Sequence, residues 1–272
     1  MLCEIIYEDQ EILIIHKPAG IATQSANIGQ RDVVSELKGY LKKQKAHGSG
    51  KNGEKEGRDT YLGMIHRLDQ PVEGLLVFAK TPSAAAALTK QLGSNVLNKK
   101  YLAVVLGTPK ADQGRLVDYL RKEKNLAQIV DRQGATDAKE ARLRYRLLGS
   151  VSLGGSAREE SGKEELMQGG LPREEVGNGS EKKLSLLEVE IETGRFHQIR
   201  AQLAHAGIPI LGDQKYGNAD SMEISMRLGV RNVALCADRL EIVHPGSHRK
   251  MDWRIKPQGE VFRKYFHLWA EG

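Results

Sequence analysis

The sequence has few cysteines, and it has no long apolar run. Its two cysteines, Cys3 and Cys236, form neither a CxxC pair nor a metal-ligand spacing, which argues against a disulfide framework and predicts a reducing compartment, the cytoplasm. No apolar run approaches the length of about 18 residues that a membrane span requires, so we expect none. The N-terminus, MLCEIIYEDQEILII, lacks the basic region of a signal peptide.

Sequence motifs for cofactors and metals are missing as well. No glycine-rich phosphate loop follows a predicted strand, and no residues have metal-ligand spacing. We therefore expect neither a nucleotide cofactor nor a metal. Positive charge, in contrast, is in excess: 41 lysines and arginines stand against 35 aspartates and glutamates, a net charge of +6. This excess favours a polyanionic partner, most simply a nucleic acid.

Two polar, glycine-containing stretches interrupt the chain. Residues at about 42–59 and 150–183 have the composition of flexible inserts, and regular elements resume after each. We therefore interpret residues 1–272 as a single domain with two inserts, and we expect a monomer. Predicted strands outnumber helices and do not alternate regularly with them, which favours an α+β fold with a mixed sheet.

Local patterns predict individual elements. Five segments have strand patterns: 4–8, 11–15, 74–80, 99–107 and 186–192. Thr81 and Pro82 predict the cap and the first residue of a helix. A second helix is predicted in TGRFHQIRAQLAHAG, with Thr193 as its cap and Gly207 as its end. The first two turns of that helix would carry Arg195, His197 and Arg200.

The stretch HRLDQPVEGLLVFAK places Asp69 at the edge of a predicted buried strand, two residues after Arg67. Asp-Gln-Pro suits an Asx turn between two strands. Alternatively, a nearby arginine would keep the carboxylate ionised, so that it can act as a nucleophile. The local sequence is compatible with both interpretations.

Four segments together resemble a known family. They are, in order, YEDQEILIIHKPAG, HRLDQPVEGLLVFAK, KKYLAVV and TGRFHQIRAQLAHAGIPILGDQKYG. The chain resembles the RluA-type family of RNA pseudouridine synthases over its whole length apart from the two inserts. The resemblance implies a pseudouridine synthase fold, with a mixed, mainly antiparallel sheet flanked by helices and loops around a central cleft. It also implies conversion of uridine to pseudouridine in structured RNA, ribosomal or transfer RNA, with base flipping and without a cofactor.

The resemblance also implies residue roles. Asp69 matches the catalytic aspartate, which attacks the sugar or assists a glycal route. Tyr101 matches a tyrosine that is expected to stack on the uracil and to help remove its C5 proton, and Arg200 matches an arginine that pairs with the aspartate. Arg67 matches an arginine that fills the gap left by the flipped base, and Arg195 is expected to contact phosphate or a neighbouring loop. We therefore expect the Asp69 carboxylate, the Arg200 guanidinium and the Tyr101 ring to line one cleft.

Some features depart from the family pattern. Glu73 stands where a small hydroxyl residue is usual, which puts the finer RNA contacts in doubt. The catalytic domain begins at the first residue, so we expect no N-terminal RNA-binding domain. Two other functions remain open: an RNA-binding protein without activity, and a glycoside or nucleoside hydrolase that uses Asp69. Hydrolase chemistry generally requires a second carboxylate.

Overall fold

The computed structural model describes residues 2–25, 27, 29–48, 60–131, 137–153 and 182–266. Within these ranges the strands are β1 (Glu4–Glu8), β2 (Ile12–Lys17), β3 (Gly63–Met64), β4 (Glu73–Ala79), β5 (Asn98–Leu106), β6 (Gln113–Glu123), β7 (Leu126–Val130), β8 (Lys139–Ser152), β9 (Lys183–Ile191), β10 (Leu235–Val243) and β11 (Lys250–Arg254). The helices are α1 (Val33–Gly48), α2 (Pro82–Gly93), α3 (Gln198–His205), α4 (Ala219–Arg227) and α5 (Glu260–Tyr265). No helix in these ranges is long and apolar enough to cross a bilayer.

All the described strands belong to one sheet. Its order is β1-β2-β4-β10-β5-β9-β8-β6-β7, with β11 beside β10 and β3 beside β4. The pair β4–β10 is parallel, and the other strand pairs of the described chain are antiparallel. The predicted α+β class with a mixed, mainly antiparallel sheet is therefore confirmed, and all five predicted strands are present.

The sheet has a core on each face, which explains why some strands are apolar throughout. In β2, Leu13 and Ile15 join the larger core, whereas Ile12 and Ile14 join a smaller core beneath α2. Successive side chains of a strand point to opposite faces, so a strand that is covered on both sides needs apolar residues at every position. The larger core also contains Tyr101 and Ile199, and the cleft described below opens beside it.

The prediction for the start of α2 is confirmed. Thr81 Oγ1 accepts the backbone N–H of Ala84 at 3.2 Å, and Pro82 is the first helical residue. The boundary predicted for the first insert is wrong, because α1 continues to Gly48. Lysine, glutamine and alanine, which dominate this segment, are all good helix formers. Residues 49–59 and 154–181 lie outside the described residues, and the division into one domain with two inserts stays a prediction.

Gly74 allows β4 and β10 to approach each other closely. It has φ +141°, and a Cβ at this position would lie 2.5 Å from both the backbone nitrogen and the Cβ of Ala237. We expect Gly74→Ala to lower the free energy of unfolding by at least about 2 kcal/mol, since overpacking and a disfavoured backbone conformation act together. Urea unfolding would measure this.

A helical glycine provides the matched control for Gly74. A Cβ at Gly39, in α1, would meet no atom within 4 Å, so Gly39→Ala is expected to stabilise the protein by roughly 0.5–1 kcal/mol. Equal effects of the two substitutions would contradict the packing explanation.

Candidate active site

A cleft of about 450 Å³ lies between the loop before β4, the beginning of β5 and the segment before α3. Its lining includes all five residues singled out in the sequence: Asp69, Tyr101, Arg200, Arg67 and Arg195. Asp69 and Arg200 are 131 residues apart in the chain, and the fold brings them into contact. The cleft has a buried end, where Tyr101 is 5% exposed, and a mouth formed by exposed residues such as Arg67.

The loop that carries Asp69 is fixed by the segment that follows β2. The Lys17 ammonium is fully buried and donates to the carbonyl oxygens of Pro18, Ile21 and Gln70, at 2.8–3.2 Å. Thr23 Oγ1 donates to the Leu68 carbonyl at 2.9 Å. These hydrogen bonds hold the residues on both sides of Asp69, so the position of its carboxylate is determined by the fold.

The Asp69 carboxylate is directed at Arg200. Arg200 Nη1 donates to Asp69 Oδ2 at 3.0 Å, while its Nε and Nη2 each donate to the Asp213 carboxylate at 2.8 Å. Both Arg200 and Asp213 are buried. Asp213 thus fixes the guanidinium in a bidentate geometry and leaves its remaining edge for Asp69. The turn at Asp69 is closed by its backbone carbonyl, which accepts the Val72 N–H at 3.0 Å, so the carboxylate is available for the contact with Arg200.

His197 lies beside this carboxylate as a neutral group. Burial lowers the pKa of His197 to about 4, although the charge of Asp69 opposes the shift. Its Nδ1 lies 2.8 Å from the Tyr216 hydroxyl, which accepts the Ala127 backbone N–H at 2.7 Å. Its Nε2 lies 3.5 Å from Asp69 Oδ2. These contacts make His197 a packed, hydrogen-bonded residue of the site.

Tyr101 faces the cleft from β5. Burial, with a smaller contribution from the Asp69 charge, raises the pKa of Tyr101 far above its ordinary value, so its hydroxyl stays protonated. The ring is packed in the larger core, together with Leu68, Val72 and Ile199, which also line the cleft. An apolar wall with an aromatic ring beside a carboxylate suits a planar base attached to a sugar.

The predicted start of α3 is wrong. The helix begins at Gln198, and its N-cap residue is His197, with φ +52° and no side-chain cap. Thr193 does not cap it, because its hydroxyl is bound to the Gln198 side chain at 2.8 Å and accepts the Arg142 N–H at 2.9 Å. Arg195 consequently lies before the helix. The predicted end agrees with the structure, since α3 ends at His205 and Gly207 has a φ of +80°.

The two remaining arginines line the mouth of the cleft. Arg195 is exposed, and its Nε donates to the carbonyl oxygen of Glu140, on β8, at 2.9 Å. The expected contact with a phosphate or a neighbouring loop stays a prediction. Arg67 is exposed as well. Glu73, in contrast, points away from the cleft: it is 5% exposed, and its Oε1 accepts from His16 Nε2 at 2.8 Å and from the Gln258 N–H at 2.7 Å.

Sequence reasoning assigned no role to four residues that surround the site. Lys17, Lys99, Asp213 and Tyr216 all lie within segments that carried the family resemblance, HKPAG, KKY and LGDQKYG. Their position in those motifs was the available signal. Among the described residues, no group of three or more His, Cys, Asp or Glu side chains is arranged to hold a metal ion.

Comparison with known proteins identifies relatives over most of the chain. Residues 11–205 match the family model described as RNA pseudouridylate synthase. An RNA pseudouridine synthase of Bacillus subtilis, described as uncharacterized, is 30% identical over 89% of this chain and 64% of its own length. The ribosomal large subunit pseudouridine synthase C of Rickettsia bellii is 32% identical over 85% of this chain and 63% of its own length. The chain thus spans slightly less than two thirds of these two relatives.

Solved structures show the same fold. Human RNA pseudouridylate synthase domain containing 4 superimposes with a TM-score of 0.64, at 20% sequence identity, over 94% of this chain and 89% of that chain. The human domain containing 1 protein has a TM-score of 0.63 at 17% identity, over 94% of this chain and 83% of that chain. At these identities the likeness concerns the fold, and it agrees with the predicted architecture.

Proposed function

Because the chain belongs to the RNA pseudouridine synthase family, of the RluA type that its motifs predict, we propose that it converts uridine in RNA to pseudouridine with Asp69 as the catalytic carboxylate. One observation carries the proposal: Arg200 contacts Asp69 at 3.0 Å in a cleft that also contains Tyr101. The Arg200 guanidinium holds the Asp69 carboxylate in the cleft, which is where either route for the aspartate requires it.

The reaction requires one bond to break and another to form at the same sugar carbon. Asp69 attacks C1′ of the uridine, or removes a proton from C2′ in the glycal route, and the electron pair of the C1′–N1 bond leaves with the uracil. The uracil then rotates and its C5 bonds to C1′, while the bond from Asp69 to C1′ breaks or, in the glycal route, the proton goes back to C2′. The C5 proton is released to solvent and N1 takes up a proton, so the product is an isomer of the substrate. No oxidant, reductant or energy source is needed.

The target base has to leave its stack to reach Asp69. Tyr101 provides a ring on which the flipped uracil stacks, and Arg67, exposed at the mouth, is positioned to fill the vacated space in the RNA. Arg195 adds a further exposed guanidinium at the same rim, suited to a phosphate. The net charge of +6 is consistent with an RNA partner.

A hydrolase that uses Asp69 is disfavoured by the state of the other carboxylate in the cleft wall. Glu192 accepts from Arg115 at 2.6 Å, from Arg144 at 2.7 Å and from Arg142 at 3.2 Å. The hydrogen bond from Arg115 and then that from Arg144 lower the pKa of Glu192. A carboxylate that is held ionised cannot supply the proton that a glycosidase acid must donate. An RNA-binding protein without activity is disfavoured because Asp69, Tyr101 and Arg200 are all present.

Ribosomal RNA is our proposed substrate in preference to transfer RNA, since the Rickettsia relative is described as acting on the large ribosomal subunit. The test is tritium release from RNA labelled at uridine C5, with ribosomal and transfer RNA assayed separately. Release from the ribosomal pool is expected. Release from the transfer RNA pool alone would reassign the substrate, and free uracil in place of pseudouridine would identify a hydrolase.

The Tyr101 hydroxyl offers a separate test of how the C5 proton leaves. Tyr101→Phe keeps the stacking ring and removes the only group on this side chain that can carry a proton. If the ring acts by stacking alone, the rate of pseudouridine formation should stay within about threefold of the wild type, whereas loss of a general base costs on the order of 10²-fold or more. Because burial keeps the Tyr101 hydroxyl protonated, it is a poor base, and we expect a rate within about threefold of the wild type under single-turnover conditions. A loss on the order of 10²-fold would instead give the hydroxyl a role in proton transfer. A near-normal rate would limit Tyr101 to stacking.

A further inference from the structure

The buried end of the cleft contains a charged side chain without a protein partner. Lys99 lines the cleft and is 9% exposed, and among the described residues its ammonium group has neither a hydrogen-bond acceptor nor an ion-pair partner. A buried, unpaired ammonium costs stability. An unpaired ammonium in a cleft of this kind indicates that an atom of the substrate is its partner.

The neighbouring histidine cannot serve as the missing acceptor. His66 is 7% exposed and lines the same end of the cleft; its Nε2 accepts the Val77 N–H at 3.4 Å, and its Nδ1 is buried without a partner. Burial, and then the Lys99 charge, lower the pKa of His66 well below its ordinary value, so the ring is neutral with its proton on Nδ1. Burial lowers the pKa of Lys99 to about 8, so the ammonium is still protonated at pH 7.

Depth in the cleft distinguishes a base from a phosphate as the partner of Lys99. The cleft-lining residues Leu68, Val72 and Leu97 are buried, as Lys99 is, whereas Asn95 and Arg195 at the mouth are exposed. A phosphate belongs to a continuing chain, and both of its ends must return to solvent. A flipped base is a side branch of the RNA chain with nothing attached beyond its ring, so it can occupy a closed, apolar pocket.

We propose that the Lys99 ammonium binds an exocyclic carbonyl oxygen of the flipped uracil and stabilises the negative charge that the uracil acquires when its bond to C1′ breaks. This inference rests on the proposed function and adds a catalytic residue to it. When the electron pair leaves with N1, the charge is shared with O2 and O4, and a preorganised cation in a site without water is an effective partner for such a charge.

The symmetry of uracil makes one cation sufficient for the whole reaction. To bring C5 to C1′, the ring turns by half a revolution about its N3–C6 axis. That rotation exchanges N1 with C5 and O2 with O4, so a carbonyl oxygen occupies the same position before and after it. Lys99 therefore retains an acceptor throughout. Cytosine carries an amino group on C4, a donor that would face the ammonium after rotation, so the same contact disfavours cytosine.

Lys99→Met tests this proposal, because methionine has a similar length and no charge. Lys100→Met is the matched control: Lys100 is the next residue of β5, and its ammonium lies 3.7 Å from Glu188, outside the cleft. In single-turnover assays on large-subunit ribosomal RNA transcripts, Lys99→Met is expected to form pseudouridine about 10²-fold more slowly than the wild type, and Lys100→Met within about threefold of it. The stability of Lys99→Met should not fall, since it removes a buried unpaired charge.

A change in the substrate identifies the contact itself. Transcripts made with 2-thiouridine or 4-thiouridine present a weak acceptor in place of one oxygen, so the wild type should slow on at least one of them, and Lys99→Met should not slow further. If Lys99→Met and the sulfur substitution each slowed the reaction and their effects multiplied, the two changes would act independently and the role of Lys99 would be overturned. A Lys99→Met variant as fast as an active wild type would overturn it too. A wild type that forms no pseudouridine in any RNA would overturn the proposed function as well.

Discussion

Replacing Asp69 with alanine is expected to lower the rate of pseudouridine formation by on the order of 10⁴-fold or more, the scale on which removal of a nucleophile acts. The fold should survive this change. Arg200 keeps both of its hydrogen bonds to Asp213, and the Asp69 side chain is 26% exposed, so no buried charge loses its last partner. The loop itself is held through backbone atoms by Lys17 and Thr23. The measurement is tritium release from C5-labelled RNA, together with the RNA dissociation constant.

A second carboxylate of the cleft supplies the control for Asp69. Glu192→Gln removes a negative charge from the cleft wall while leaving Asp69 and Arg200 in place. We expect this variant to retain activity within about tenfold and Asp69→Ala to bind RNA nearly as well as the wild type. Retained turnover in Asp69→Ala would remove the aspartate from the mechanism. Equal losses in the two variants would instead point to a pair of carboxylates, as in a hydrolase.

Strand periodicity and motif order predicted most of what positions the site. Apolar runs and alternation located β4 and β9, because burial of one or both faces of a strand leaves a short-range pattern in the sequence. The family resemblance predicted that Asp69, Tyr101 and Arg200 share one cleft, and all three line the cleft of the folded chain. Their catalytic roles stay predictions, which the variants described above test.

Long-range contacts account for what the sequence did not predict. The segment before α3 has the pattern of a first helical turn, but the Gln198 side chain reaches the Arg142 carbonyl on β8 at 2.9 Å and holds the chain in a loop. Lys17 and Lys99 are similar cases. Lysine is rarely buried, and only the tertiary fold shows that one is enclosed by carbonyl groups and that the other faces the cleft.

Replacing Asp213 with asparagine is expected to lower the free energy of unfolding by about 3–5 kcal/mol, the cost of breaking a buried ion pair from one side. Arg200 and Asp213 are among the most buried charged residues of the described chain, at 3% exposure each. The Asp213 carboxylate also accepts the backbone N–H groups of Lys215 and Tyr216, at 3.0 and 3.2 Å. The substitution therefore weakens the interactions that hold the Arg200 guanidinium and those that hold the loop of Tyr216, which contacts His197. Urea unfolding, followed by tritium release on the folded variant, measures both effects.

An exposed arginine–aspartate pair with similar hydrogen bonds, Arg239 and Asp252, tests whether burial sets the cost of the Asp213 substitution. Arg239 donates to the Asp252 carboxylate from Nε at 3.0 Å and from Nη2 at 2.7 Å, but the two side chains are 36% and 45% exposed. Asp252→Asn is therefore expected to cost no more than about 1 kcal/mol. If both substitutions cost the same, burial would not be the reason for the stability of the Arg200–Asp213 pair. If Asp213→Asn were stable and fully active, Arg200 would not need Asp213 in order to face Asp69, and the contact between Arg200 and Asp69 would have to be maintained by the surrounding core alone.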